Sequence, residues 1–377
     1  MATKKRFAVI GPGGRGSGWA RNLQKHEETD IVALCDINEG KIKRMAEGFG
    51  GIGYYTNADE MFKKEDLDAV VIATPHYLHA PFTVQAAEND CHVLCEKPMA
   101  INLQQADQMI IACRKNDVKL AIGFQHRFHI ANSYVYDAAR GAEGDKGVSL
   151  GRITDFTLIA RHYRGDVYYL GSSPVDPATG VPAGPWRGRW LTEGGGILAN
   201  QAIHDIDLFQ YIVGPFHSLS AHAATIAREH ALIEVEDTVA VTFTAKNGAV
   251  GRMIFSTSNK KASGNTMRIQ GEYGYLEYKM PYVRVDTRYK DEEDWEVPFM
   301  APKRHNLLEN FLDAIDNDTE PMIPGEEGRK SVEVMRAIFK SIQEERTVYF
   351  PIKDTMTYPT LHNLSRDEPL NLDELFD

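Results

Sequence analysis

The sequence has little of what would direct a chain to a membrane, to nucleic acid or to secretion. No apolar run approaches the roughly 20 residues that span a bilayer. Basic residues number 42 against 53 acidic ones, and the net charge of −11 provides no basic face for nucleic acid or anionic lipid. The basic start before Phe7 lacks the long apolar stretch and cleavage site of a signal peptide, so a cytoplasmic location is expected.

Cysteine is also scarce, and no pair has CxxC spacing. The four cysteines lie in apolar stretches of the first third of the chain: Cys35, Cys91, Cys95 and Cys113. Buried free thiols in a reducing compartment are therefore expected. The remaining composition, 43% hydrophobic and 25% charged, is typical of globular enzymes, and 377 residues are a natural length for two domains.

The first 125 residues alternate strand-like and helix-like segments, which is typical of a parallel α/β sheet. Short apolar runs predict strands at residues 7–11, 31–36, 67–74, 92–95 and 118–124. Helices are predicted at residues 16–26, 77–88 and 103–114, with a further helix capped by Asn38. Residues 1–125 are thus predicted to form an N-terminal Rossmann domain with a doubly wound parallel sheet.

From about residue 150 the pattern becomes rich in β-strands. Strands are predicted at residues 152–161, 218–227, 238–244, 250–257 and 268–278, and Asn247-Gly248 fits a hairpin turn. A helical insert at 194–213 interrupts them, and helical spacing returns at 305–316 and 326–344. The fold class is therefore α/β plus α+β, with a C-terminal, mostly antiparallel open sheet in residues 126–352 and an acidic tail at 353–377.

A glycine-rich turn follows the first strand directly. Its residues fit GxGxxG: Gly11, Pro12, Gly13, Gly14, Arg15 and Gly16. Such a turn brings pyrophosphate to the backbone and to the start of a helix. Asp36 ends the second strand, where a carboxylate can bind the adenosine ribose and repel a 2′-phosphate, so the pattern favours NAD over NADP. The nearby Lys41, Lys43 and Arg44 are interpreted as a solvated helix face.

Residues 165–189 form a long segment rich in Gly, Pro and Ser, with four conspicuous side chains: Tyr168, Tyr169, Trp186 and Arg187. A loop of this kind often covers a ligand, although packing on the surface is the alternative interpretation. HxxH spacing occurs at His76/His79 and at His126/His129, but no third ligand stands out, so no metal site is predicted.

Three further motifs make the chain similar to a known family. Residues 94–98 read Leu-Cys-Glu-Lys-Pro, residues 194–207 fit GGGxL(x)₅HxxD, and residues 74–79 read Thr-Pro-His-Tyr-Leu-His. Together with the glycine turn they resemble the glucose-fructose oxidoreductase/inositol dehydrogenase/MocA (Gfo/Idh/MocA) family over roughly residues 5–350. The resemblance implies an NAD-dependent oxidoreductase that forms homodimers or homotetramers through its open sheet.

The resemblance also implies roles for individual residues. Lys97 becomes a catalytic lysine beside the nicotinamide, and His204 exchanges a proton with the substrate hydroxyl. Family members often carry Asp where this chain has Asn200, which leaves hydrogen bonding to the substrate as its expected role. The other expected cofactor contacts are Thr74, Pro75, His76, His79, Glu96 and Gln125, beside Gly11, Gly13, Gly14, Arg15, Gly16 and Asp36. The other expected substrate contacts are Arg127, Tyr168, Trp186 and Arg187, and Asp207 is expected to orient its helix.

The chemistry of alcohol oxidation fits these assignments independently. The reaction needs a hydride acceptor, a base for the hydroxyl proton and a cation for the developing alkoxide. Lys97 can supply the charge, and an imidazole such as that of His204 exchanges protons near neutrality. Asn200 and His204 are four residues apart and share one helix face.

Three functions remain open at this point. The leading one is reversible oxidation of a hydroxyl on a sugar, glycoside, cyclitol or sugar derivative. The second is an NAD-dependent glycosidase that oxidises transiently, eliminates and shows no net redox change, and it needs the same lysine and histidine. The third is a sensor of NAD or a sugar, which would not need that pair.

Overall fold

The computed structural model describes residues 4–140, 150–165, 168–169, 186–227, 233–261, 264–279, 282–287, 295–298, 306–354 and 357–361. The chain divides into two compact units: Met1–Gln125 with His305–Val332, and His126–Arg304 with Glu333–Asp377. The sequence predicts residues 305–332 in the second domain, whereas they pack in the first unit. Helical spacing reveals a helix but not the sheet that it covers.

Unit 1 contains a six-stranded sheet in which all neighbouring strands are parallel. Its strands are β1 (Lys5–Ile10), β2 (Thr29–Cys35), β3 (Gly53–Tyr55), β4 (Ala69–Ile72), β5 (His92–Cys95) and β6 (Leu120–Ile122). The order β3-β2-β1-β4-β5-β6 reverses direction between β1 and β4, where ligands bind in doubly wound sheets. The predicted Rossmann sheet is confirmed, although the short edge strand β3 was not predicted.

The helices follow in chain order: α1 (Gly14–Lys25), α2 (Glu39–Gly48), α3 (Ala58–Lys64), α4 (His79–Ala87), α5 (Leu103–Lys115), α6 (Ile130–Arg140), α7 (Trp190–Glu193), α8 (Ile203–Ile212), α9 (Leu307–Asp316) and α10 (Gly325–Glu344). A π-helical turn, Leu198–Ala202, leads directly into α8. The predicted cap of α2 is present, because the Asn38 side chain accepts from the Lys41 backbone N–H. Among the helices of the described residues, none is long and apolar enough to cross a bilayer.

Helix α9 completes the core of unit 1. A capping box starts it, in which the Asn306 side chain accepts from the Glu309 backbone and Glu309 accepts from the Asn306 backbone. The Phe311 ring lies edge-on to Phe7 of β1, with centroids 6.4 Å apart. This packing explains why residues far along the chain belong to the first unit.

Unit 2 is built on a nine-stranded sheet of order β14-β13-β12-β11-β7-β10-β9-β8-β15. Its strands are β7 (Ile153–Arg161), β8 (Phe216–Ala224), β9 (Thr238–Ala245), β10 (Val250–Ser256), β11 (Gly264–Gly271), β12 (Gly274–Lys279), β13 (Tyr282–Thr287), β14 (Trp295–Pro298) and β15 (Val348–Tyr349). Only β7 and β10 pair in parallel, and the other pairs are antiparallel. The predicted mostly antiparallel sheet is confirmed.

Helix α8 packs on this sheet through an aromatic cluster. Phe209 of α8 is surrounded by Phe156, Phe216 and Phe243, at ring-centroid distances of 4.7, 4.6 and 4.7 Å. Fully buried aromatic side chains each remove a large apolar area from water. The cluster therefore anchors α8, and with it Asn200 and His204, to the strands.

A short C-terminal arm, of which the structure describes residues 351–354 and 357–361, packs against α10 in unit 2. Arg336 of α10 forms a buried ion pair with Asp354 and donates to the Thr357 carbonyl at 2.6 Å. The Tyr358 ring stacks on Trp190 of α7 at 4.9 Å. The predicted acidic tail thus begins as a docked segment, and residues 362–377 lie outside the described part.

The four cysteines are buried and unbridged, as predicted. Burial raises the pKa of Cys35, Cys91 and Cys113 to about 12. These thiols therefore stay protonated at neutral pH and are poor nucleophiles.

Candidate functional site

The glycine turn of unit 1 has no room for a side chain at Gly11 or Gly16, and it has open space at Gly14. Gly11 has a φ of +80°, and a Cβ there would lie 2.8 Å from the Thr74 backbone nitrogen. A Cβ on Gly16 would lie 2.2 Å from the Gly11 carbonyl oxygen, whereas one on Gly14 would meet nothing within 4 Å. The backbone at Gly14 is therefore accessible to a phosphate, while Gly11 and Gly16 allow helix and strand to approach closely.

The start of α1 adds the electrostatics of an anion site. No side chain caps this helix end and its first turn carries no acidic residue, so the first backbone N–H groups remain available. The Lys41 Nζ lies 3.9 Å from the position of a Cβ on Gly13. A cation beside the turn adds to the attraction for pyrophosphate, although the sequence was interpreted as placing Lys41 on a solvated face.

Asp36 stands one residue beyond β2, half-buried, and its Oδ1 accepts from the Asn38 backbone N–H at 3.0 Å. The next side chain, Ile37, is 72% exposed. A carboxylate followed by an exposed apolar side chain suits an adenosine, whose ribose offers hydroxyls and whose base offers a flat apolar face. The sequence reasoning overlooked Ile37, which a large apolar residue directly after the acidic one could have indicated.

Among the buried side-chain oxygens of unit 1 that have no hydrogen-bond partner within the described chain are Thr74 Oγ1 and Gln125 Oε1. Leaving a buried polar atom unpaired costs about 1–3 kcal/mol, so such atoms commonly serve a ligand. Both residues were predicted to contact the cofactor. With the open glycine turn and Asp36, they make unit 1 fit a dinucleotide.

Glu96 connects the glycine turn to the segment that carries Lys97. Its buried carboxylate accepts from Arg15 Nε at 2.9 Å and from Trp19 Nε1 at 2.6 Å, both on α1. Lys97 follows directly, half-buried, and its peptide bond to Pro98 is cis. Arg15 and Glu96, both predicted as cofactor contacts, thus bind each other and fix the position of the Lys97 backbone.

His79 lies at the start of α4 with both ring nitrogens on backbone carbonyls. Nδ1 is 2.8 Å from the Pro98 oxygen and Nε2 is 3.0 Å from the Thr74 oxygen. Burial lowers the pKa of His79, and the two carbonyls act in the opposite direction. The ring therefore joins the turn after β4 to the Glu-Lys-Pro turn, a different placement from the predicted cofactor contact.

The two HxxH pairs are ring neighbours. His76, which is buried, and His79 lie 5.7 Å apart by ring centroid, and His126 and His129 lie 5.2 Å apart. Over the ranges that the structure describes, no three His, Cys, Asp or Glu side chains are grouped as a metal site requires.

In unit 2, Asn200 and His204 lie one helical turn apart, on the π turn and on α8. Each is only 8% exposed, on a segment whose other buried side chains are mostly apolar. The His204 ring stacks on His126, with centroids 4.3 Å apart and planes inclined by 21°. Asn200 Nδ2 donates to the fully buried carboxylate of Glu193 on α7. A buried amide and imidazole on one helix face provide hydrogen bonding and proton exchange together.

Glu236 holds the loop that leads into this helix. Its Oε1 accepts from the backbone N–H groups of Gly196 and Leu198, at 2.9 and 3.0 Å. A Cβ on Gly196 would lie 2.0 Å from the Glu236 carbonyl oxygen, so only glycine fits there. Burial raises the pKa of Glu236 to about 7.

The stability of unit 2 is expected to fall as the pH rises from about 5 to about 7. A carboxyl whose pKa is raised from 4.5 to about 7 by folding keeps its proton in the native state while the unfolded chain loses it. Glu236→Gln should remove up to about 3 kcal/mol of this pH dependence. Asp205, whose pKa burial also raises to about 7, adds a contribution of the same sign, which Asp205→Asn isolates.

Denaturant unfolding between pH 5 and 8 measures this effect. Parallel stability curves for the wild type and Glu236→Gln would show that Glu236 does not take up a proton on folding.

Arg127 was predicted to contact substrate, but the structure places its guanidinium in a buried ion pair. Its Nε and Nη2 donate to the Asp207 carboxylate of α8 at 2.9 and 2.6 Å. The side chains are 3% and 1% exposed, and the guanidinium lies 4.8 Å from the Tyr211 ring centroid. Asp207 thus orients its surroundings, as expected from the sequence, and Arg127 does so with it.

The structure describes the two ends of the long loop, and their side chains pack within unit 2. Tyr168 Oη accepts from Gln201 beside Asn200, and Arg187 stacks on both Tyr168 and Trp186, at 4.4 and 4.7 Å. Tyr169, in contrast, packs in a buried cluster with Ile233 and Val235. Tyr168 also packs against this cluster, and the ligand-covering role of Tyr168, Trp186 and Arg187 stays a prediction. Most of the loop, residues 166–167 and 170–185, lies outside the described residues.

Two buried carboxyl groups that bind the segment around Asn200, those of Glu193 and Glu236, were not predicted from the sequence. Acidic residues in connecting segments are usually exposed, so neither attracted notice. The signal that was available is the Glu236-Asp237 pair directly before an alternating strand, because consecutive acids there require donors from elsewhere in the fold.

Two family models match this chain. One, described as an oxidoreductase family NAD-binding Rossmann fold, covers residues 5–124, and the other, an oxidoreductase family C-terminal α/β domain, covers residues 150–350. Among curated relatives, myo-inositol 2-dehydrogenase of Thermotoga maritima is 26% identical over 91% of this chain and 98% of its own. The 2,7-anhydro-N-acetylneuraminate hydratase of Mediterraneibacter gnavus is 24% identical over 91% and 96%.

A solved structure has a similar fold over nearly the whole chain. The WlbA dehydrogenase of Bordetella pertussis, in complex with NADH and UDP-GlcNAcA, superposes with a TM-score of 0.78 at 26% identity. The match covers 93% of this chain and 100% of that protein.

Proposed function

This chain belongs to the Gfo/Idh/MocA oxidoreductase family and is an NAD-dependent enzyme, and we propose that it reversibly oxidises a secondary hydroxyl of a sugar, glycoside, cyclitol or sugar derivative. The observation that carries this proposal is the Asn200–His204 pair, two polar side chains that lie one helical turn apart and are each only 8% exposed. Burying polar groups without hydrogen-bond partners is unfavourable. An amide and an imidazole side by side can hydrogen-bond an alcohol group and exchange its proton.

The residues of unit 1 would hold the cofactor. The open turn at Gly13 and Gly14 would bind the pyrophosphate, Asp36 would bind the adenosine ribose, and the buried oxygens of Thr74 and Gln125 would accept hydrogen bonds from the rest of the dinucleotide. When bound, NAD accepts the hydride from the carbon that carries the reacting hydroxyl. The alcohol loses a hydride and a proton and becomes a carbonyl, so the chain itself has to receive only the proton.

Two side chains suit that proton and the charge that precedes it. His204 receives the hydroxyl proton at a ring nitrogen, and Lys97 stabilises the alkoxide by its charge. Asn200 cannot take up a proton and contributes a hydrogen bond to the substrate. The hydrogen bonds of Glu96 and His79 hold the segment around Lys97, which supports a fixed position of the lysine backbone.

A redox-neutral lyase, hydratase or glycosidase is the second candidate. It is favoured by the similarity to an enzyme named as a hydratase of an anhydro sugar, and it would use transient oxidation with the same side chains.

Absorbance of NADH during turnover on a panel of sugars, cyclitols, glycosides and anhydro sugars tests both candidates. Net NADH formation supports the dehydrogenase. Conversion of a glycoside or anhydro sugar without NADH accumulation supports the second candidate, and no conversion with retained NAD leaves the sensor.

Asp36→Ser is expected to narrow the preference for NAD over NADP by at least about tenfold. The change removes a negative charge from the place of the 2′-phosphate and leaves the Lys41 ammonium beside the turn. Competition titrations with the two nucleotides measure the ratio. Asp30→Ser is the matched control, because Asp30 is exposed on the same strand. A wild type that prefers NADP would contradict the role of Asp36.

A further inference from the structure

Glu193 is a buried acid outside the residues assigned to the reaction so far. It ends the one-turn helix α7, and the described chain leaves none of its surface exposed. Its Oε2 accepts from the Gly188 backbone N–H and its Oε1 accepts from Asn200 Nδ2. A buried carboxyl group requires hydrogen-bond partners, and Gly188 and Asn200 supply two of them.

The direction of this hydrogen bond fixes the orientation of the Asn200 amide. Asn200 Nδ2 donates to Glu193 Oε1, and the NH₂ and the oxygen of an amide point in different directions, so Asn200 Oδ1 is turned away from Glu193. We propose that Glu193 is a positioning residue that makes Asn200 present a hydrogen-bond acceptor to the substrate. The proposal rests on the proposed function, since it assigns the part that Asn200 plays in sugar recognition.

The orientation has a consequence for the substrate class. Asn200 lies one turn before His204, which takes the proton of the reacting hydroxyl. An acceptor at this spacing suits a second hydroxyl, on the carbon next to the one that is oxidised. The geometry thus points to vicinal diols, which sugars and cyclitols contain, and disfavours the corresponding deoxy compound or methyl ether, which cannot donate.

Exchanging the two functional groups between the positions tests this proposal. In Glu193→Gln, the Gln oxygen accepts from Gly188 and its NH₂ faces Asn200, so Asn200 must flip and present a donor. We expect KM to rise about tenfold with a smaller change in kcat, because substrate binding loses its acceptor. In Asn200→Asp, two carboxylates meet in a buried place, and kcat/KM should fall about 100-fold.

The double variant Glu193→Gln/Asn200→Asp restores a donor facing an acceptor with their positions exchanged. We expect kcat/KM within about fivefold of wild type, and the preference for the diol over its monodeoxy analogue should return. Glu234→Gln, an exposed acid nearby in the sequence of unit 2, is the matched control and should change neither quantity. Affinity for NAD, measured separately, should be unchanged in all variants.

The outcomes are distinct. A double variant no more active than Asn200→Asp, or a wild type indifferent to removal of the neighbouring hydroxyl, overturns the proposal. If the wild type oxidises no compound of the panel, the proposed function fails. The melting temperatures of the wild type, the two single variants and the double variant then test whether Glu193 orients Asn200. Recovery of the Asn200→Asp melting temperature in the double variant supports the orientation by Glu193, and additive losses overturn it.

Discussion

Replacing His204 by alanine is expected to lower kcat by roughly 10²-fold or more while NAD affinity stays nearly unchanged. A positioned acid–base group typically contributes 10²–10⁴-fold, and the proposed route for the hydroxyl proton ends at this imidazole. The groups that are proposed to hold NAD, the glycine turn and Asp36, belong to unit 1, whereas His204 belongs to unit 2. Chemistry and cofactor binding should therefore separate cleanly in the variant.

Lys97→Ala completes this prediction. It should also lower kcat by roughly 10²-fold, because the charge that stabilises the alkoxide is lost. Asn200→Ala should be milder than either, since it removes a hydrogen bond to substrate and no proton transfer. The controls are His222→Ala and Lys25→Ala, both exposed residues. Near-native kcat in His204→Ala would mean that the proton leaves by another group.

Removing Asp207 is expected to give the largest loss of stability, about 3–5 kcal/mol in the unfolding of unit 2. Asp207→Ala leaves the Arg127 guanidinium buried and without the carboxylate that accepts two of its hydrogen bonds, and an uncompensated buried charge has a cost of this order. The neighbouring Tyr211 ring offers only a weak substitute.

An exposed ion pair of the same unit provides the comparison. Arg189 and Glu234 are 40% and 42% exposed, so Glu234→Ala should cost at most about 1 kcal/mol. Denaturant unfolding of the three proteins, followed by near-ultraviolet circular dichroism, measures both differences. Equal losses in the two variants would contradict the account of Arg127 as a buried structural cation.

The parts of the fold that could be predicted depend on local pattern. The first strand, the glycine turn, the first helix and Asp36 follow one another within 36 residues. Each has a characteristic composition, so this part of unit 1 could be predicted from the sequence. The pairing of β7 with β10 and the packing of α9 on β1 join distant residues. Neither contact produces a pattern in the local sequence, and neither was predicted from the sequence.

The same limit applies to the candidate site. The motifs identified Lys97, His204 and Glu96 as important, but which atoms they touch depends on partners far along the chain. Glu96 binds Arg15 and Trp19 across 77 residues and more. His79 and Arg127, for which ligand contacts are predicted, also have backbone carbonyls and a carboxylate as partners, which the motifs did not indicate. A motif indicates that a residue matters, and only the surrounding structure shows which group it serves.

The docked arm shows that the folded unit and the family match end at different residues. The family match ends at residue 350, yet Asp354 supplies the counter-charge for a buried arginine of α10 and Tyr358 covers Trp190 on the helix that carries Glu193. The folded unit therefore extends beyond the residues that the family model matches. Residues past that match pack on the helix that directly precedes the Gly194-Gly195-Gly196 motif.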